Sequence, residues 1–136
     1  MVQEATVLNK DRIAKSKIAL KTGRIEDMPY LEDQFDVVFS INTLYFWSDV
    51  GLTLQKIKNV LVSQGRLMLA IRPKSLMETY PMVKHGFRMF EVEEIKSLLL
   101  RAGFQDINVE SKEEPPQEVY GQILSKSALL FSAVKP

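Results

Sequence analysis

Residues 33–47, Asp33-Gln-Phe-Asp-Val-Val-Phe-Ser-Ile-Asn-Thr-Leu-Tyr-Phe-Trp47 (DQFDVVFSINTLYFW), decide the fold. Val37, Val38, Phe39 and Ile41 lack the apolar–polar alternation of a half-exposed strand. Bounded by Asp36 and Asn42, this run predicts a strand over 36–42 buried on both faces. Such a strand belongs in the middle of a sheet, so the question is what flanks it.

Candidate neighbours follow along the chain. RLMLAI (66–71) is a second buried strand, stopped by Arg72-Pro73. FQDINVE (104–110) alternates like a half-exposed strand, and ALLFSAVK (128–135) is the best strand near the end. Before the central run, KIALKTG (17–23) holds a short strand candidate at 17–22 closed by glycine, and RIEDMPYLEDQ (24–34) is a polar loop.

Helical patterns separate the strands. Residues 2–16 can form one helix with Val2, Ala5 and Leu8 toward one side and Lys10, Arg12 and Lys15 near the end that favours cations. Ser48 or Asp49 can cap a helix whose stripe is Leu52, Leu54, Ile57, Val60 and Leu61, with Gly65 free to take positive φ where it stops. Residues 75–89 read as irregular or short helix. VEEIKSLLLRAG then gives a clear helix, with Phe90 as a staple, Glu91, Glu93 and Glu94 at its positive end and Gly103 as its stop. SKEEPPQE (111–118) reads as a solvated loop. Strands alternating with helices predict one three-layer α/β domain over 1–136 with a largely parallel sheet.

Composition sets the bounds on function. The 136 residues are 46% hydrophobic and 26% charged, with a formal net charge of +1. Bulk charge therefore points to neither a nucleic-acid nor a membrane partner. There is no cysteine and only one histidine, His85, which removes thiolate chemistry and any multi-histidine metal site. No apolar run approaches the length of a membrane span and no signal peptide opens the chain, so the expected location is cytoplasmic.

GRIEDMPYLEDQFDVVFSINTLYFWSD (23–49), NVLVSQGRLMLAI (59–71) and FEVEEIKSLLLRAGF (90–104), in that order, resemble class I S-adenosylmethionine-dependent methyltransferases of the small-molecule type. The resemblance runs over nearly the whole chain. It implies an incomplete Rossmann-like sheet. In the family order 3-2-1-4-5-7-6, residues 17–22, 36–42, 66–71, 104–110 and 128–135 correspond to the third to seventh strands, the last antiparallel. The first two strands, the glycine-rich loop and the acidic residue that holds the ribose have no counterpart. One wall of the cofactor crevice is then missing and the central strand has an open edge. Three arrangements can answer this: the 17–22 strand slides into the gap, two chains join as a homodimer, or a complementing chain supplies the rest.

The same resemblance implies the site residues. Arg24 and Ile25 stand where the family lines the adenine pocket, with the Ile25 amide meeting an adenine nitrogen; Arg24 replaces the usual acidic or small residue. Ser40, Asn42 and Leu44 face the methionine part of S-adenosylmethionine. Polar residues where a buried strand ends are also where α/β folds build sites. A surface loop at 23–26 and a turn or cap role for Asn42 are the bland alternatives. Tyr45-Phe46-Trp47 reads first as packing and second as a pocket wall. No catalytic residue is assigned and no metal is expected, because methyl transfer needs mainly alignment of nucleophile and sulfonium. The implied function is a partial methyltransferase with impaired cofactor binding, acting on a small molecule. The alternatives are an inactive remnant and a dimerising or regulatory module that pairs through the central strand.

Overall fold

The computed structural model describes every residue except Tyr120, whose backbone and side chain are left aside together with the side chains of Met82, Val119, Leu124 and Ser125. Four strands form one sheet: β1 (Phe35–Ile41), β2 (Leu61–Ile71), β3 (Gln105–Val119) and β4 (Gln122–Val134), in the order β1-β2-β4-β3. β1 and β2 are parallel and joined through helix α3 (Val50–Val60), as a parallel pair requires; β4 runs antiparallel to both β2 and β3. The α/β class, the Rossmann-like sheet and the antiparallel last strand are as the sequence predicts.

The core lies on one face. The register sets Leu67 beside Val38 and Ala133, and Leu69 beside Ser40 and Phe131. α3 and α5 (Val92–Arg101) cover this row, with Leu54, Ile57, Ile95 and Leu99 packed into the same cluster. Asp49 caps α3 by accepting the Leu52 N–H at 2.9 Å, so the aspartate and not Ser48 starts this helix. Phe90 is buried ahead of α5, and Gly103 takes φ +87° where that helix stops.

Several expectations are corrected. Residues 17–22 form no strand. With only Ile18, Ala19 and Leu20 apolar and no strand beside them, they lack the pairing and burial that would hold one. The described sheet therefore has four strands, and helices cover one face only, giving two layers in place of three. The central strand is not buried on both faces: Val37, Phe39 and Ile41 are 50%, 69% and 59% exposed on the uncovered side. The expected helix over 2–16 divides at Asn9 into α1 (Val2–Leu8) and α2 (Lys10–Ala14), neither with a buried residue. α3 ends at Val60, and Gly65 lies inside β2, while Gln64 takes the positive φ of 63°. A Cβ at Gly65 would stand 2.7 Å from the Val62 carbonyl, so that glycine serves close backbone approach.

Residues 111–118 are strand, not loop. Pro115 and Pro116 fall where the β3–β4 register shifts, between Glu114 and Gln117, a place where an edge strand tolerates proline. β2 pairs with residues 129–134 of β4, so residues 122–128 run past Ile71 paired only with β3. This two-stranded arm extends beyond the carboxyl ends of β1 and β2. The segment at 75–89 contains α4 (Lys74–Met77) and a 3-10 turn at Pro81–Lys84.

Candidate functional site

A cavity of about 450 Å³ opens at the carboxyl end of β1. Its walls include Arg24, Ile25, Phe39, Ser40, Thr43 and Phe46. The sequence of β1 explains the position. As the apolar run ends, Asn42 enters the left-handed region at φ 55°, its N–H donating to the Ala70 carbonyl at 2.9 Å. Asparagine tolerates that conformation better than a branched residue would. A 3-10 turn over Leu44–Phe46 then turns the chain toward α3. The Ser40 and Thr43 hydroxyls hydrogen-bond each other at the cavity wall.

The opposite lip is a polar loop held to the start of α3. Ser48 N–H donates to Glu26 Oε1 at 3.0 Å, and Arg24 donates to the Ser48 hydroxyl while standing 3.8 Å from Glu26 Oε2. Lys56 donates to the Glu26 carbonyl. The Ser48 backbone N–H, foremost, and the Arg24 charge hold the Glu26 carboxyl below its usual range, so it is ionised at neutral pH. Ile25 lies between these anchors, and its own N–H has no partner among the described residues.

Of the five residues expected in a cofactor site, Arg24, Ile25 and Ser40 meet around this cavity. Asn42 lies at its margin, exposed, with its Oδ1 accepting from the Tyr45 hydroxyl at 3.4 Å. Leu44 turns into the core, 1% exposed. The aromatic cluster divides. Tyr45 and Trp47 are buried, whereas Phe46 is exposed and stacks edge-on against Phe87 at 4.9 Å. Tyr45 also accepts the Arg72 N–H at 2.5 Å, and burial raises the pKa of its phenol. Phe39 and Thr43 are lining the sequence did not single out, and the anchoring of Glu26 to Ser48 was not read from it either. The alternation within β1 was the one signal for Phe39, and Val38 beside it hides that alternation. His85 is exposed and lines neither this cavity nor the apolar groove beside β1. No group of three or more His, Cys, Asp or Glu able to hold a metal occurs among the described residues.

These features fit half of an S-adenosylmethionine site. A residue with a free amide, paired hydroxyls and aromatic side chains line one cavity. Among the described residues, no strand lies beyond β1 to form the other wall.

A family model of a methyltransferase domain matches residues 1–69. Over 110 residues the chain is 24% identical to the tRNA U34 carboxymethyltransferase of Campylobacter curvus, an alignment covering 73% of this chain and 36% of that protein. The chain spans about a third or less of the length of the curated relatives it matches. Among solved structures, a SAM-dependent methyltransferase of Thermotoga maritima superposes with a TM-score of 0.73 at 21% identity, covering 93% of this chain and 68% of that one. The methyltransferase of Haloferax volcanii in complex with its activator Trm112 gives 0.77 at 18%, covering 100% and 68%. At these identities the superpositions establish fold. With half of the chain matched by the domain model, the conclusion is direct: this chain belongs to the class I S-adenosylmethionine-dependent methyltransferase family.

Proposed function

We propose that this chain provides one wall of a methyltransferase site for a small-molecule acceptor, and that it holds S-adenosylmethionine weakly when alone. The observation that carries this reading is the cavity at the end of β1, lined by Ile25, whose N–H is unpaired among the described residues, and across from it by Ser40 and Thr43 with their bonded hydroxyls. Ile25 N–H would donate to an adenine nitrogen, with Arg24 beside it. Ser40 and Asn42 would face the methionine part, and Leu44 would hold the turn beneath them from the core. When bound, the cofactor supplies an electrophilic sulfonium methyl. Phe39 and Phe46 present faces that attract such a cation and keep water from it. The chain then needs only to hold acceptor and methyl in line, without a general base. The formal net charge of +1 favours a small acceptor over a nucleic acid. A cytoplasmic location belongs to the same reading, since nothing in a cysteine-free chain exploits an oxidising compartment.

A second reading rests on the exposed side chains of β1: a module, inactive by itself, that pairs through this strand with a second copy or a complementing chain. The Haloferax likeness, a methyltransferase bound to an activator, is in keeping with dependence on a partner.

Isothermal titration of the 136-residue chain with S-adenosylhomocysteine separates the two. The first reading expects saturable binding weaker than micromolar that Ser40→Ala and Arg24→Ala weaken further. Micromolar binding would contradict the weakness assigned here. No heat at millimolar ligand would favour the second reading.

A further inference from the structure

A chain of hydrogen bonds with a fixed direction ends at Asn42, on the margin of the cavity. The Arg72 backbone N–H donates to the Tyr45 phenolic oxygen at 2.5 Å. A backbone N–H cannot accept, so the hydrogen of the phenol goes elsewhere. Tyr45 is 5% exposed, and a buried hydroxyl hydrogen needs a partner. Among the described residues its acceptor is Asn42 Oδ1, at 3.4 Å. Burial raises the pKa of the phenol, so that hydrogen is present at neutral pH. The opposite amide orientation would turn a second donor on the phenolic oxygen and leave its hydrogen without an acceptor.

Both ends of this chain are anchored. The Arg72 guanidinium is gripped by Glu114 at 2.5 and 3.0 Å and donates to the Ser127 carbonyl at 3.1 Å. The Asn42 N–H bonds the Ala70 carbonyl of β2 at 2.9 Å. The polar atom left over is Asn42 Nδ2, on an exposed side chain and without a partner among the described residues.

We infer that Asn42 offers this amide nitrogen to the carboxylate of the cofactor's methionine part, with Tyr45 and Arg72 as the positioning residues that hold the amide in that orientation. The contact rests on the methyltransferase reading above and adds its polarity. The methionine part carries two charged groups. Its carboxylate only accepts hydrogen bonds, and its ammonium only donates them. A donor at Asn42 suits the first and opposes the second. Asn42 has a left-handed φ of 55°, which aspartate also tolerates. Asn42→Asp therefore keeps the backbone. One of its oxygens accepts from Tyr45, and the other presents an anionic acceptor where the donor stood.

The test is titration of the full chain, followed by nitrogen–proton NMR, with three ligands. These are S-adenosylhomocysteine, its decarboxylated analogue, which keeps the ammonium, and methylthioadenosine, which has neither group. The unsubstituted chain should bind the first about tenfold tighter than the second. Its Asn42 Nδ2 resonances should move with S-adenosylhomocysteine and stay in place with methylthioadenosine. Asn42→Asp should reverse the preference and leave methylthioadenosine binding unchanged. Tyr45→Phe should shrink the preference, again without changing methylthioadenosine binding; a merely structural role would weaken all three ligands alike. An unchanged preference in Asn42→Asp overturns the inference. So does a Tyr45→Phe chain that loses methylthioadenosine as much as S-adenosylhomocysteine. Methylthioadenosine binding with no preference between the other two sinks this contact alone, whereas no binding of any ligand at millimolar concentration sinks the site reading and the contact with it.

Discussion

Arg72 and Glu114 face each other as a fork on a fork, with Nη1 2.5 Å from Oε1 and Nη2 3.0 Å from Oε2. The same Nη1 donates to the Ser127 carbonyl at 3.1 Å, and the Arg72 backbone N–H donates to the Tyr45 hydroxyl. One residue at the end of β2 thus ties the turn beyond β1 to both strands of the β3–β4 arm. The bidentate geometry requires the planar guanidinium, which lysine cannot copy.

This pair gives stability a pH dependence. Hydrogen bonds from Arg72, foremost, lower the Glu114 carboxyl below its usual range. The folded value lies below the unfolded one. The contribution is therefore complete above the ordinary glutamate range and is lost as pH falls through the folded value. Glu114→Gln should lower the denaturation midpoint at neutral pH, and its difference from the unsubstituted chain should shrink as pH falls below the ordinary glutamate range. Urea titrations at stepped pH measure this; a difference independent of pH would refute it.

Tyr45→Phe should destabilise by about 1–3 kcal/mol, because the Arg72 N–H loses its acceptor in a buried place. It also frees the Asn42 side chain, so the Asn42 amide resonances should shift more than those of α5. Burial raises the Tyr45 phenol, which should stay protonated above the ordinary tyrosine range, readable by ultraviolet absorbance against the Tyr45→Phe chain as pH rises.

Phe131 is 1% exposed and sits beside Leu69 and Val109 in the register. Phe131→Ala should cost about 3–5 kcal/mol, measured by denaturant unfolding. Met68→Ala, on the uncovered face, should cost less, since Met68 is already 43% exposed.

Asp49→Ala removes the acceptor for the Leu52 N–H and should cost about 1 kcal/mol. Asp49→Asn keeps an acceptor and should recover most of the loss. The same unfolding measurement decides; an equal loss in both would mean that charge, not the cap, matters there.

The elements themselves could be read locally. The stripe Leu54, Ile57 and the cap Asp49 fix α3; Ile95 and Leu99 with Gly103 fix α5; the apolar runs fix β1 and β2. Arg24, Ile25 and Ser40 were legible as one site because the order of motifs implies a crevice at the end of the central strand. Phe39 and the Glu26–Ser48 anchor were not, because each depends on which side of a strand or loop meets the cavity. The 111–118 segment misled because its charge and prolines describe a solvated loop equally well as a solvated two-stranded arm.

The sequence by itself determined the α/β class, the alternation of strands and helices, and the family. These follow from periodicity, capping and residue type, which act within a few positions of the chain. Tertiary structure alone decided that 17–22 remains outside the sheet, that among the described strands β1 pairs only with β2, and that its apolar side chains divide between core and surface. A strand exists only through its neighbours, and a side chain's burial depends on what packs above it. Neither can be read from the apolar run that first suggested a strand enclosed on both faces.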